Sequence, residues 1–333
     1  MSNLKLIVNQ DLTKLGASIQ KHEKEGIEIE KGAILTEEYL IRHEDLFRKY
    51  CEFFSAYPDL FIDLITPSDS NFSLFFYQRI FLRACLRYRY HYCTACRAFS
   101  KTFISILALY LECMFMPGTK RFICAPGKNQ SAKIAKDKIY EIWDKLPLLK
   151  KEIIGDGNFG KDYVTLMFRN GSIFDVVGAL DTERGGRRHG GLIDEIRDHD
   201  GEVLNAVVLP LMNVSRRTPR GEVNTNEPNQ QQLYMTSAGV KSSYAYERLI
   251  DLFEMSIINP KQAFVWGCDY RIPVLHGLLD KQYINELKMS PSYNEETFAR
   301  EYKDRYVLIK LLRIAGSSLS IYYYNIVLKQ RQV

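Results

Sequence analysis

A disulfide framework is missing from this chain. Its 333 residues hold seven cysteines, at 51, 85, 93, 96, 113, 124 and 268. An odd number at irregular spacing excludes a disulfide-stapled secreted scaffold and predicts reduced thiols. No stretch matches the roughly 20 uninterrupted apolar residues that a membrane-spanning helix needs. Residues 103–116 contain Glu112, and residues 307–328 are broken by Lys310, Arg313 and Asn325. The start, MSNLKLIVNQDLTKLG, carries no apolar export core. Low-complexity tracts and internal repeats are absent too, which excludes fibrous and solenoid classes. Charge of one sign is not in large excess: Lys+Arg 45 against Asp+Glu 40 leaves +5, which permits a nucleic-acid partner without demanding one. A soluble protein of the cytoplasm, without membrane contact, is the expectation.

What is present is an ordinary globular balance, 46% hydrophobic and 26% charged. Residues 1–70 read as helical, with Leu40, Phe47, Tyr50, Phe53 and Phe54 at helical spacing and a helix start near Thr36. From 71 to 275 short β-like runs alternate with helix-like ones. RYHYCTA precedes an apolar helix over 101–116, RFICA precedes a helix over 129–145, and YVTLMF and SIFDVVGA flank the turn Asn170-Gly171. HGGLIDE, a helix near 201–213, QLYMTSA, a helix near 243–257 and AFVWGCDY follow. That alternation predicts an α/β fold, a mainly parallel sheet with helices on both faces, whose ligand sites lie at the carboxyl ends of the strands. Residues 276–306 carry two helix-like stretches, 280–289 and 294–305. The tail 307–333 has no clear periodicity.

Two constellations fall at strand ends. After the first strand, Ala95-Cys-Arg-Ala-Phe-Ser100-Lys101-Thr102 leads into a helix and approximates the phosphate loop G-x-x-x-x-G-K-[ST], with Ala95 and Ser100 where glycines usually stand. Lys101 could reach phosphate oxygens, Thr102 could bind magnesium, and Ser100 can serve provided that its φ stays negative. Arg97 would face or sense the γ-phosphate. Taken alone, Ser-Lys-Thr reads better as a polar helix start. In Gly190-Gly-Leu-Ile-Asp194-Glu195 the first carboxylate could hold magnesium and the second polarise water. Acidic helix caps are commoner, so this motif too is weak by itself. Asp194 and Glu195 can share a cleft where the chain turns at the strand end. Gln78, in Phe76-Tyr77-Gln78-Arg79, could read an adenine edge, and an amphipathic helix explains it as well. Thr236, Ser237 and Ala238 end a strand that could sense loss of a phosphate.

Arg184, Arg187 and Arg188 precede the acidic pair, and Arg216, Arg217 and Arg220 follow the next helix. Loop arginines suit phosphate contact, with DNA or with a neighbour's nucleotide, while for any one of them a solvated basic loop is the slightly better reading. Cys85, His91, Cys93 and Cys96 fail the ligand spacing of a structural zinc site.

In their order and spacing, PDLFIDLITP to FFYQR, TACRAFSKTFISILALYL, FICAPGKNQSAKIAKDKIYEIW, ERGGRRHGGLIDE and LYMTSAG resemble the ATPase half of the large terminase subunit of tailed bacteriophages. The resemblance runs from roughly Pro58 to Tyr302. It implies a P-loop NTPase fold of the RecA/ASCE kind, with ATP and Mg2+ as ligands. Lys101 and Thr102 would be the Walker A pair and Arg97 the loop arginine. Asp194 would be the Walker B metal ligand, Glu195 the catalytic glutamate, Gln78 the adenine-reading residue and Thr236 to Ala238 the coupling motif. Double-stranded DNA, a portal protein, a small terminase subunit and a homo-oligomeric ring are the implied partners. About 30 residues follow Tyr302, too few for the nuclease domain such subunits usually carry, so DNA cleavage is not expected. An inactive prophage remnant and a helicase-like ATPase are the alternative readings.

Overall fold

The alternation of β-branched and aromatic runs with longer helical ones is realised as a sheet of eight strands flanked by helices. The computed structural model describes residues 44–178, 186–218 and 220–307. The chain divides into two compact units, Met1–Cys51 and Glu52–Val333. Helix α1 is Glu44–Ala56, and α2 (Pro58–Ile65) begins on a proline at its first turn. The helical reading of residues 1–43, Arg184, and the tail beyond Val307 lie outside the described residues.

Helix α3 (Phe76–Arg87) leads to β1 (Tyr90–Ala95) and α4 (Lys101–Phe115). Then come β2 (Lys120–Cys124), α5 (Lys128–Lys145), the single turn α6 (Pro147–Lys150) and an edge pair, β3 (Asn158–Phe159) and β4 (Val164–Met167). Strands β5 (Ile173–Val176) and β6 (Gly190–Asp194) precede helix α7, which comprises Gly201–Val203, a π-helical stretch Leu204–Val208 and Leu209–Leu211. β7 (Gln231–Thr236), α8 (Tyr244–Ile258) and β8 (Ala263–Cys268) complete the sheet. The chain continues into α9 (Arg271–Leu275), α10 (Lys281–Met289) and α11 (Glu295–Glu301). The helix expected over 294–305 ends earlier, because residues 302–307 turn back onto the sheet. Among the described residues no helix is long and apolar enough to cross a membrane.

The strand order is β3-β4-β5-β2-β6-β7-β1-β8. From β5 to β8 every pairing is parallel, whereas β3, β4 and β5 form an antiparallel edge around the turn at Asn170-Gly171. Alternate residues of each central strand feed two cores. Cys93, Ile123, Leu192 and Leu233 pack with α3, α4 and α5 on one face. Tyr92, Phe122, Ile193 and Tyr234 pack with α7 and α8 on the other. Helix α4 is buried on almost every side, which accounts for its near-continuous apolar sequence.

Gly191 in β6 is there for close approach. A Cβ at this position would stand 2.5 Å from the ring of Phe122 on β2. β7 lies between β1 and β6. The strand that leads into the loop at 96–100 and the strand that ends on Asp194 are therefore one strand apart, with their carboxyl ends at the same edge.

Candidate nucleotide site

The loop from Cys96 to Ser100 connects β1 to the start of α4. Ala98 and Ser100 both adopt left-handed backbone, with φ of 62° and 63°. This corrects the expectation of a negative φ at Ser100. The chain must reverse within five residues and enter a helix, and left-handed residues between ordinary ones turn successive N–H groups into one concavity. Glycine would do this without strain, whereas a residue with a Cβ costs about 1–2 kcal/mol. Ser100 makes no side-chain cap, so the first N–H groups of α4 keep their usual lack of helical partners.

Lys101 is buried, its Nζ 3.5 Å from the carbonyl of Ala95 and 3.7 Å from Oε1 of Glu195. Thr102 Oγ1 stands 3.4 Å and 3.2 Å from the two oxygens of Asp194. Asp194 ends β6, and Glu195 follows with φ 49° and ψ 51°, which bends the chain so that both carboxylates enter one cleft. Burial pushes Asp194 up to about 6, with Glu195 adding to the rise and Lys101 and Thr102 opposing it. Thr236, at the end of β7, has its hydroxyl 3.4 Å from Oε2 of Glu195. Ser237 and Ala238 are buried beside it.

Gln78 lines a cavity of about 560 Å³ together with Phe72, Phe75, Ser100, Lys101 and Thr102. Its Oε1 accepts the Phe75 N–H at 3.0 Å, which fixes the amide against the start of α3. Arg97 points elsewhere. Its side chain is 65% exposed and pairs with Glu301, whose Oε2 accepts from Nε at 2.8 Å.

Three residues of this site were not singled out from the sequence. Arg197 donates to Glu301 Oε1 at 2.8 Å and to the carbonyl of Ala238 at 3.2 Å, and lies 3.7 Å from Glu195. Glu301 thereby joins Arg97 to Arg197. Asp304 accepts from Thr94 Oγ1 at 2.6 Å, and burial pushes it up to about 6. All three act through contacts between distant parts of the chain, and no local motif marks them. Arg188 pairs with Asp175 and Arg216 is buried against Glu227, so neither stands free for phosphate. None of the seven cysteines is in a disulfide, and among the described residues no cluster of three or more His, Cys, Asp or Glu could hold a metal.

Comparison with solved structures bears on the whole arrangement. The ATPase domain of the Thermus phage P74-26 large terminase matches with a TM-score of 0.52 at 16% identity, over 73% of this chain and 99% of that one. The fold is that of a large-terminase ATPase domain. The HK97 bacteriophage large terminase matches with a TM-score of 0.55 at 13% identity, over 76% of this chain and 55% of that one. The large terminase of a second thermophilic bacteriophage, in complex with ADP, gives 0.50 at 11% identity, over 66% and 49%. The chain spans about half the length of these last two subunits. No protein-family model and no curated protein matches the chain.

Proposed function

We propose that this chain is the ATP-hydrolysing motor domain of a phage or prophage large terminase. It would move double-stranded DNA into a procapsid as a ring of identical subunits, together with a portal protein and a small terminase subunit. The observation that carries the reading is the convergence of four side chains at one sheet edge: Lys101 with Glu195 at 3.7 Å, and Thr102 with Asp194 at 3.2 Å. The ADP held by one of the structural neighbours supports an adenine nucleotide as ligand.

The loop N–H groups and Lys101 bind the phosphates, and the Gln78 cavity takes the base. A hydroxyl facing a carboxylate is a hard oxygen donor set, which fits magnesium. Thr102 and Asp194 would hold that ion, and it would neutralise phosphate charge. Glu195 accepts the proton of the attacking water. Lys101 and Glu195 pair with each other when no phosphate separates them, so nucleotide binding exchanges that pair for contacts to phosphate and frees the carboxylate. Arg97 can leave Glu301 for the γ-phosphate, because its side chain is exposed and the loop is short. Such an exchange would release Glu301, and through it Arg197 and the end of β7.

Phosphate release by the wild type, Lys101→Ala and Glu195→Gln, with and without duplex DNA, tests the proposal. Each substitution should lower turnover by about 100-fold or more, and DNA should stimulate the wild type alone. Equal phosphate release by all three proteins would end the motor reading.

A further inference from the structure

The sheet edge opposite the phosphate loop carries a second cavity, of about 360 Å³. Arg89, Gln230 and Gln262 each immediately precede a strand, β1, β7 and β8, and these strands lie side by side and parallel. Their side chains therefore open at one rim, which Arg87 and Lys261 extend. β1 is six residues long, so this rim lies about 20 Å from the loop that follows it.

The rim holds surplus positive charge. Arg87 and Lys261 are exposed, with no hydrogen-bond or ion-pair partner among the described residues. Arg89 donates through Nη2 to Gln230 Oε1, while its Nε has no partner. Gln230 holds a left-handed backbone, φ 55°, and donates to the carbonyl of Asn213 at 2.8 Å, so it orients Arg89 from a strained position. Glu227 also lines the cavity, but its charge is matched by buried Arg216. Cations and amide donors without a free acid are the chemistry that receives phosphate oxygens. No aromatic ring lines the cavity on which a base could stack, which disfavours a single strand or a mononucleotide.

We infer that this rim contacts the backbone of double-stranded DNA, at a surface separate from the nucleotide site; the inference rests on the motor reading above. Sequence-independent phosphate contact is what a translocating motor requires, since it must grip every sequence equally.

The test is fluorescence anisotropy of the full chain with a labelled duplex of random sequence, at several salt concentrations, comparing the wild type with Arg87→Ala/Lys261→Ala. The double variant should bind about tenfold more weakly at low salt, and its log–log salt slope should be shallower by about two. Its ATP turnover without DNA should equal that of the wild type, and Arg87→Lys/Lys261→Arg should restore binding. Wild-type affinity and slope in the double variant would overturn this surface while leaving the motor reading intact. A wild type that binds no duplex would overturn both. Displacement of the duplex by inorganic phosphate at matched ionic strength would make the rim a free-anion pocket and overturn the DNA contact.

Discussion

The hydroxyl of Thr236 stands between two acceptors, 2.9 Å from the carbonyl of Ser237 and 3.4 Å from Oε2 of Glu195. One hydroxyl proton serves one acceptor at a time. The end of β7 therefore has two alternative hydrogen-bond arrangements, set by the direction in which Thr236 donates.

Thr236→Val keeps the shape and removes the proton. A hydrogen bond to a charged group contributes about 1.5–3 kcal/mol, so kcat for ATP should fall about tenfold or more with little change in KM. Steady-state phosphate release measures both constants, and an unchanged kcat would remove Thr236 from the proposed coupling.

Ser100→Gly should stabilise the protein. The serine occupies a left-handed position that its Cβ disfavours, and it makes no helix cap, its hydroxyl interacting with Tyr77 instead. Replacement should raise unfolding free energy by about 1 kcal/mol, part of the gain being offset by the greater freedom of glycine in the unfolded chain. Urea denaturation of the two proteins decides the point; a lower midpoint for the variant would mean that the hydroxyl has a partner role outweighing the strain.

Two aspartates give opposite pH signatures. Asp194, raised by burial and by Glu195 to about 6, must be ionised to hold a cation. Below that value kcat/KM should drop about tenfold per pH unit. Asp304, also raised to about 6 from 3.8 by burial, binds its proton more tightly in the folded chain. Its contribution to stability is complete below 3.8 and is lost as pH rises through 6. Asp304→Asn removes that term, so the stability gap between wild type and variant should move in favour of the wild type by about 1 kcal/mol as pH falls from about 7.5 to about 5. Urea midpoints at the two pH values measure it, and a gap independent of pH would contradict the raised affinity.

Gln78→Ala should act on binding more than on chemistry. The amide is pinned by the Phe75 N–H and lines the cavity beside the loop. KM for ATP should rise about tenfold with kcat within about twofold. An equal fall in kcat and kcat/KM would place Gln78 in the transition state instead of the base pocket.

The parts legible in the sequence share one property, which is that short-range pattern encodes them. Strand and helix periods mark β1, β2 and β4 to β8 among the helices α4, α5, α7 and α8, and motif order puts Lys101, Thr102, Asp194 and Glu195 at or just after strand ends. The same reasoning misjudged Ser100. Its residue type suggests an ordinary backbone, and only closure of the loop between β1 and α4 imposes a positive φ. It also missed the two-residue β3, whose pairing with β4 owes more to its neighbour than to its own composition.

Sequence by itself determined the fold class and the chain order of Lys101, Thr102, Asp194 and Glu195, because hydrophobic period and motif spacing are local and survive without a partner. Only tertiary structure decided that Arg97 faces Glu301, that Arg197 and Asp304 join the site, and that Arg89, Gln230 and Gln262 share one rim. Those relations depend on which strands become neighbours. Strand order is set by the burial of two faces at once, and no window of consecutive residues contains that information.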